Sequence, residues 1–241
     1  MTDTFGPLNP RTASMRERIL DTQPTVCTER AILTTKAYRA HEQEQVILRR
    51  AYTLDAVLRG MSIYIDPEAL LEEMQSLQAA GVSITPENFK ISDRATIVFP
   101  YHRAQDALEE ERLKDAKYGS TKRGIAPVYS DKFQKKTIMM GELMDMDYLG
   151  QRLKGILEWK NLTIQNVYGA EPYDYDTLMA WLEKFGGQLR PYICDAGSVL
   201  RLAQLRGKNI LFEAQLGALR DIDYGIYPYT SSSTPLAAYA P

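Results

Sequence analysis

Short apolar runs alternate with amphipathic segments along most of this 241-residue chain. Ala95–Phe99 is a compact apolar run that ends at Pro100, and Ser62–Ile65 and Asn209–Phe212 are two further strand-like runs. Strands that alternate with helices usually pair in parallel, because each helix carries the chain back across one face of the sheet. The pattern therefore predicts an α/β fold with a mainly parallel sheet flanked by helices.

Helix signals lie between these runs. Asp66 is a candidate N-cap, Pro67 occupies the first helical position, and Gly81 is a candidate C-cap of the same helix. In the next, charge-rich segment the expected inward positions are Ala104 and Leu108. Further helices are predicted at about 103–117, 142–160, 174–188 and 197–206.

The first quarter of the chain has a different pattern. Ile47, Ala51, Leu54 and Leu58 are spaced by four, three and four residues, which places them on one helical face. This spacing predicts helix over residues 28–59, with Gly60 as the stop. By length alone, the chain could form one large domain or two small ones.

Composition narrows the range of partners and locations. The formal charge is −2, from 29 basic and 31 acidic residues, so no global field attracts nucleic acid or an anionic membrane surface. Cys27 and Cys194 lie far apart without a metal-ligand spacing, and no stretch approaches the ~18 apolar residues of a membrane span. These features predict a cytoplasmic protein with reduced thiols, without a membrane or nucleic-acid partner and without a metal site.

The loop over residues 119–127 collects two glycines, two hydroxyls and two cations. Hydroxyl and backbone N–H groups donate hydrogen bonds to phosphate oxygens, and the cations of Lys122 and Arg123 add charge. On residue types alone, the loop is either a phosphate cradle around Thr121 or an ordinary solvated turn.

A second polar cluster follows the last apolar run. Glu213 and Gln215 come directly after the predicted strand, at the carboxyl edge where open α/β sheets bind ligands. The hydroxyl-rich stretch 230–233 follows after a tyrosine-rich segment, and by itself it is equally consistent with a flexible loop. His102 begins a predicted helix after a buried strand, and we interpret it as structural rather than as a general acid.

The run GSTKRGIAPVYSDK (119–132) closely matches the loop that adenylosuccinate synthetases write as G-[ST]-T-x-x-G-I-[GA]-P-x-Y-x-D-K. The stretches ISDRA (91–95), PYH (100–102), LRPY (189–192) and the segment 211–233 follow the order of that family. Residues 66–241 therefore resemble the central portion of adenylosuccinate synthetase, the ligase that uses GTP to join aspartate to IMP.

This resemblance implies roles for particular residues. Thr121 and Gln215 would contact IMP, Thr121 at its phosphate, and either Thr230 or Ser231 would contact the phosphate as well. Lys135 stands where many members place an arginine that reaches the IMP of the other subunit of a homodimer. GTP and Mg²⁺ are the cofactors, and IMP, GTP and aspartate the partners, that the family implies.

The chain also departs from the family. Residues 7–65 resemble the N-terminal helices of glycyl radical enzymes of the pyruvate formate-lyase type, although no radical-site motif occurs, and Cys27 is interpreted as a small buried residue. The sequence contains neither a G-x-x-x-x-G-K phosphate loop nor the glycine-rich motif G-D-E-G-K-G. The two resemblances therefore imply two domains, an all-helical segment over residues 1–65 and a partial α/β domain over residues 66–241. We expect a catalytically incomplete chimeric or truncated form, with no catalytic residue assigned here. The alternatives are a non-enzymatic fusion or structural product and a glycyl radical enzyme fragment.

Overall fold

The computed structural model describes residues 57–59, 64–210 and 217–234, and only the backbone of the first of these ranges. All of them belong to one compact unit of the chain. Residues 28–56 of the helix predicted over 28–59 lie outside the described residues, and so does Gln215.

Two small parallel sheets form the centre of the unit. In the first sheet β3 (Phe89–Ser92) lies between β1 (Val57–Arg59) and β5 (Ile193–Cys194). In the second, β2 (Tyr64–Ile65) pairs with β4 (Thr96–Ile97). All three strand pairs are parallel, which confirms the predicted sheet type.

Helices occupy the segments between and after the strands, as the alternation predicted. The predicted helices at 142–160, 174–188 and 197–206 are confirmed, with bounds shifted by a few residues. A π-helical turn, Leu182–Gly186, joins α5 to α6. The helices are α1 Pro67–Ala79, α2 Pro100–Leu113, α3 Ile125–Phe133, α4 Met146–Tyr168, α5 Tyr175–Trp181, α6 Gly187–Leu189 and α7 Ala196–Leu205, with 3₁₀ turns at Lys114–Ala116, Met140–Met144, Arg190–Tyr192 and Ala218–Arg220.

The start of α1 follows its sequence signal. The Asp66 side chain accepts hydrogen bonds from the N–H groups of Glu68 and Ala69 at 3.1 and 3.3 Å, and Pro67 occupies the first turn. These bonds satisfy two of the donors that every helix start leaves unpaired. The helix ends at Ala79, and Gly81 follows with a φ of 92°.

One continuous core joins the strands to α4. Ile91 of β3, Ile97 of β4 and Leu149 and Leu153 of α4 are fully buried members of the same apolar cluster. Phe99, between β4 and α2, stacks on Tyr101 with a centroid distance of 5.0 Å. This core fixes the start of α2 against α4, and α2 positions the candidate site.

Two predictions about strands and helix ends need correction. Val57–Arg59 forms strand β1, paired with β3, rather than the end of a helix. The same apolar residues that suggested a helical face serve a short parallel strand equally well. Asn209 and Ile210 have irregular backbone instead of starting a strand. The helix α7 has just ended there, and the chain turns at Gly207, which has a φ of 64°. The rest of that predicted strand lies outside the described residues.

The predicted inward face of the charged helix is also wrong. Ala104 and Leu108 are only half-buried, whereas His102, Asp106 and Glu110 are almost completely buried. A polar stripe, spaced by four residues, therefore faces the interior of the unit on α2.

Candidate functional site

The two buried acids of α2 hold the glycine loop that precedes α3. Asp106 accepts a hydrogen bond from the Ser120 hydroxyl at 2.6 Å and another from the Gly124 N–H at 2.9 Å. Glu110 accepts from the N–H groups of Tyr118 and Gly119 at 3.2 and 3.3 Å. Both ends of the loop are thus attached to a single helix.

Gly124 brings the loop directly onto the start of α2. Its φ is 76°, and a β-carbon at this position would lie 2.7 Å from the carbonyl carbon of His102 and 2.8 Å from the nitrogen of Arg103. Only glycine fits such a contact with backbone atoms. The adjoining helix α3 begins at Ile125 with Gly124 as its N-cap.

Thr121 lies between the two attached ends of the loop and is exposed. Among the described residues, none forms a hydrogen bond with its hydroxyl, and the next residue, Lys122, has a φ of 55° and donates its N–H to Ser120 at 3.0 Å. The first-turn N–H groups of Ile125 and Ala126 follow in the chain, as at every helix start. The loop therefore exposes a hydroxyl beside the N-terminus of a nine-residue helix, an arrangement that suits an anion.

A buried network of charged side chains connects the helices next to this loop. The Nε2 atom of His102 lies 2.9 Å from an Asp131 carboxylate oxygen, and the Lys160 ammonium lies 2.7 Å from the same oxygen. Lys160 also donates to Gln105 at 2.8 Å, and the Phe99 N–H donates to Nδ1 of His102 at 2.9 Å. The network ties α2, α3 and α4 together.

The hydrogen bonds of His102 define its state. Nδ1 accepts from a backbone N–H, so the proton resides on Nε2 and is donated to Asp131. Burial lowers the pKa of His102 to about 4, a shift that Asp131 opposes and Lys160 reinforces. The interpretation of His102 as a structural residue agrees with this geometry. Both ring nitrogens have hydrogen-bond partners within the protein, so neither is free to contact a substrate.

The hydroxyl-rich stretch 230–233 contacts α3. The Tyr129 ring lies 4.1 Å from the Tyr64 ring, centroid to centroid. Burial raises the pKa of Tyr129, while hydrogen bonding from the Ser233 and Tyr64 side chains acts in the opposite direction. The second predicted loop thus adjoins the helix that starts at the first one.

The remaining predicted site residues differ in their surroundings. Thr230 and Ser231 are half-buried; the Ser231 N–H donates to the Arg220 carbonyl at 2.8 Å, and its hydroxyl lies 3.0 Å from that of Ser233. Lys135 is exposed just after α3, with a φ of 62°. Gln215 lies outside the described residues, so its relation to the others stays a prediction.

The sequence interpretation missed four residues around the loop. Asp106, Glu110, Asp131 and Lys160 are buried, although acids and lysines usually indicate a solvated surface. A signal was present, since His102, Asp106 and Glu110 follow a buried strand at four-residue spacing and so share one face of α2.

The described ranges contain neither a metal cluster nor a membrane span. No group of three or more His, Cys, Asp or Glu side chains in the described part of the chain is arranged to hold a metal ion. None of the helices within those ranges is both long and apolar enough to cross a membrane.

Comparison with known proteins gives consistent matches. The family model described as adenylosuccinate synthetase matches residues 34–241. The chain is 41% identical over 181 residues to an adenylosuccinate synthetase of Caldanaerobacter subterraneus, covering 75% of this chain and 42% of the relative. It is 43% identical over 183 residues to adenylosuccinate synthetase 2 of Pseudoalteromonas translucida, covering 75% and 43%.

A solved structure agrees with these sequence matches. The fully ligated adenylosuccinate synthetase of Plasmodium falciparum superposes with a TM-score of 0.67 at 27% identity, over 76% of this chain and 42% of that one. The chain thus spans about two fifths of the length of these relatives. The family match begins at residue 34, upstream of the predicted domain boundary, and it covers most of the chain: this protein belongs to the adenylosuccinate synthetase family.

Proposed function

We propose that the described unit forms the IMP-binding part of an adenylosuccinate synthetase, the ligase that converts IMP, aspartate and GTP to adenylosuccinate, GDP and phosphate. The observation that carries this proposal is the attached loop, in which Asp106 and Glu110 hold both ends while Thr121 stays exposed between them. The Thr121 hydroxyl donates a hydrogen bond to a phosphate oxygen of IMP, and the N-terminus of α3 adds favourable partial charge.

GTP and Mg²⁺, which the family implies, would activate the 6-oxygen of IMP as a phosphate ester so that the amine of aspartate can displace it. Among the described residues no group of three or more His, Cys, Asp or Glu side chains is arranged to hold a metal ion, and the roles proposed here concern the binding of IMP. Lys122 and Arg123 lie next to Thr121 and are both exposed, where they increase the local positive charge.

The other IMP contacts in the proposal come from the second loop and a second subunit. Gln215 contacts the nucleotide, and either Thr230 or Ser231 contacts its phosphate. Lys135, exposed beside the 81%-exposed Phe133, reaches the IMP of a partner in a homodimer. A lysine there supplies one point charge in place of the paired donors of a guanidinium group. We place the protein in the cytoplasm, in keeping with its family and its two widely spaced cysteines.

A calorimetric titration with IMP tests this function. We expect Thr121→Ala to weaken IMP binding by roughly tenfold, the effect of one lost hydrogen bond to a charged group. Thr163→Ala is the matched control, because the Thr163 hydroxyl donates to the carbonyl of Trp159 within its own helix. If IMP does not bind, or if both variants bind equally well, the proposed function is wrong.

The proposed division into residues 1–65 and 66–241 and the glycyl radical resemblance of residues 7–65 both remain predictions. Pairing of β1 with β3 gives Val57–Arg59 a place in the same sheet as the downstream strands. Early cleavage between residues 60 and 66 in limited proteolysis would support the division, whereas uniform protection there would count against it. If IMP does not bind in the titration, that result would support the alternative that the chain is a non-enzymatic fusion product.

A further inference from the structure

We infer that Asp106 and Glu110 are positioning residues for phosphate binding, which hold the 119–124 loop in the form that presents Thr121. This inference rests on the proposed function. Neither carboxylate is directed at a ligand, because the groups that donate to them belong to the loop: one serine hydroxyl and three backbone N–H groups.

The burial of the two carboxylates makes this arrangement costly to break. Each side chain belongs to a residue only 5% exposed, so its charge needs hydrogen-bond donors from the protein. The donors are supplied by Tyr118, Gly119 and Ser120 where the loop starts and by Gly124 where it ends. Release of either end would leave a buried carboxylate underpaired, and the loop is therefore held in one conformation.

The same bonds select which loop groups face solvent. The N–H groups of Gly119 and Gly124 point towards α2, and Ser120 points its hydroxyl the same way while its oxygen accepts from Lys122. Thr121 is left as the loop hydroxyl without a partner in the described part of the chain. A preformed loop of this kind binds an anion without an entropic cost of ordering at the time of binding.

Glu110→Gln is the primary test. Both partners of Glu110 are N–H donors, and a glutamine retains only one acceptor oxygen, so one of the two bonds must be lost without a change of size. We expect IMP affinity to fall roughly three- to tenfold and the affinity for inosine, which lacks the phosphate, to stay unchanged. Glu111→Gln is the matched control, an exposed acid next in the chain.

Asp106 provides an independent pair of variants. Asp106→Ala removes acceptors for Ser120 and Gly124 and should also weaken IMP binding, whereas Asp106→Asn should restore most of it. The asparagine oxygen still accepts from the Gly124 N–H, and its NH₂ group donates to the Ser120 oxygen. Equal losses for IMP and inosine, or failure of asparagine to rescue binding, would overturn the inference.

Amide hydrogen exchange measured by NMR without ligand separates this inference from the proposed function. In Glu110→Gln we expect exchange at Tyr118 or Gly119, whichever loses its acceptor, to become roughly tenfold faster, with core amides such as those of Leu153 and Ile164 unchanged. Uniform acceleration at all amides, or none at either Tyr118 or Gly119, would overturn the positioning role. If the wild-type chain fails to bind IMP, the proposed function fails, and the exchange result alone decides whether the acids hold the loop.

Discussion

At the scale of single residues, the contact of Gly124 with α2 is unusually close. A methyl group there would meet the backbone of His102 and Arg103 at 2.7–2.8 Å while the residue keeps a φ of 76°. We expect Gly124→Ala to lower the free energy of unfolding by roughly 2–4 kcal/mol, the sum of overpacking and left-handed strain. Urea denaturation measures this.

Gly119→Ala is the control for this prediction. Gly119 has a φ of 75°, but a β-carbon added there would meet no atom of the structure within 4 Å, so only the conformational penalty of about 1 kcal/mol applies. Equal costs for the two substitutions would show that the contact of Gly124 with α2 is not what demands glycine.

His102 makes the stability of the protein depend on pH. Its folded pKa of about 4 lies below the ordinary value of 6.5, so the unfolded chain binds the proton more readily. Above pH 6.5 the residue contributes no pH dependence. Between pH 6.5 and about 4 it should reduce the free energy of unfolding by up to roughly 1.4 kcal/mol per pH unit. Protonation of Nδ1 would also oppose the N–H of Phe99.

Chemical denaturation from about pH 4 to about pH 8, with His102→Gln as the comparison, tests this pH dependence. The other histidine of the sequence, His41, is present in both proteins, so its contribution cancels when the two pH profiles are subtracted. Identical pH profiles for wild type and variant would contradict the lowered pKa.

At this scale the sequence drew attention to Thr121 but not to the residues that support its loop. The residue types of the run around Thr121 fit either a phosphate cradle or a solvated turn, and the family resemblance favours the first. Asp106 and Glu110 were hidden because an acid on a charge-rich helix ordinarily faces water, and their burial depends on where the loop that follows the helix returns. The spacing of residues within the helix carries no information about where the following loop packs.

At the scale of elements, three helices depend on one buried ion pair. Asp131 of α3 and Lys160 of α4 have side chains only 4% and 3% exposed, and each has a further partner, His102 and Gln105 respectively. Asp131→Asn or Lys160→Met should each cost roughly 3–5 kcal/mol, because the remaining charge stays buried without its partner. The double variant should cost less than the sum of the two.

A double-mutant cycle followed by urea denaturation measures the coupling, which we expect at about 1–3 kcal/mol. The exposed pair Glu109–Arg112, at 2.7 Å on α2, is the matched control and should show no measurable coupling. Additive costs at Asp131 and Lys160 would mean that the three helices are held by apolar packing instead.

Element boundaries show how far the sequence predicts the fold. The N-cap of α1 was predicted residue by residue, because Asp66 and Pro67 act through their immediate neighbours. Strand β1 was missed, because so short a strand is defined by pairing with β3 much later in the chain and Leu58 fits a helical face equally well. The N-cap prediction succeeded because its determinant is local, and β1 was missed because its determinant is a distant partner strand.

At the scale of the whole molecule, we expect the 241-residue chain alone not to form adenylosuccinate from IMP, aspartate and GTP. Phosphoryl transfer depends mainly on positioning and electrostatic stabilisation, and the sequence contains neither G-x-x-x-x-G-K nor G-D-E-G-K-G to hold the transferring phosphate. Loss of a single stabilising group costs ~10²-fold or more in rate, so the loss of a phosphate loop with its lysine should leave no measurable turnover. We expect the same samples to bind IMP through Thr121, and that binding would separate a missing catalytic element from a misfolded chain. The assay follows adenylosuccinate by its ultraviolet absorbance against a control without protein. Formation that requires GTP and is lost in Thr121→Ala would show that the chain carries catalytic groups beyond those its motifs reveal.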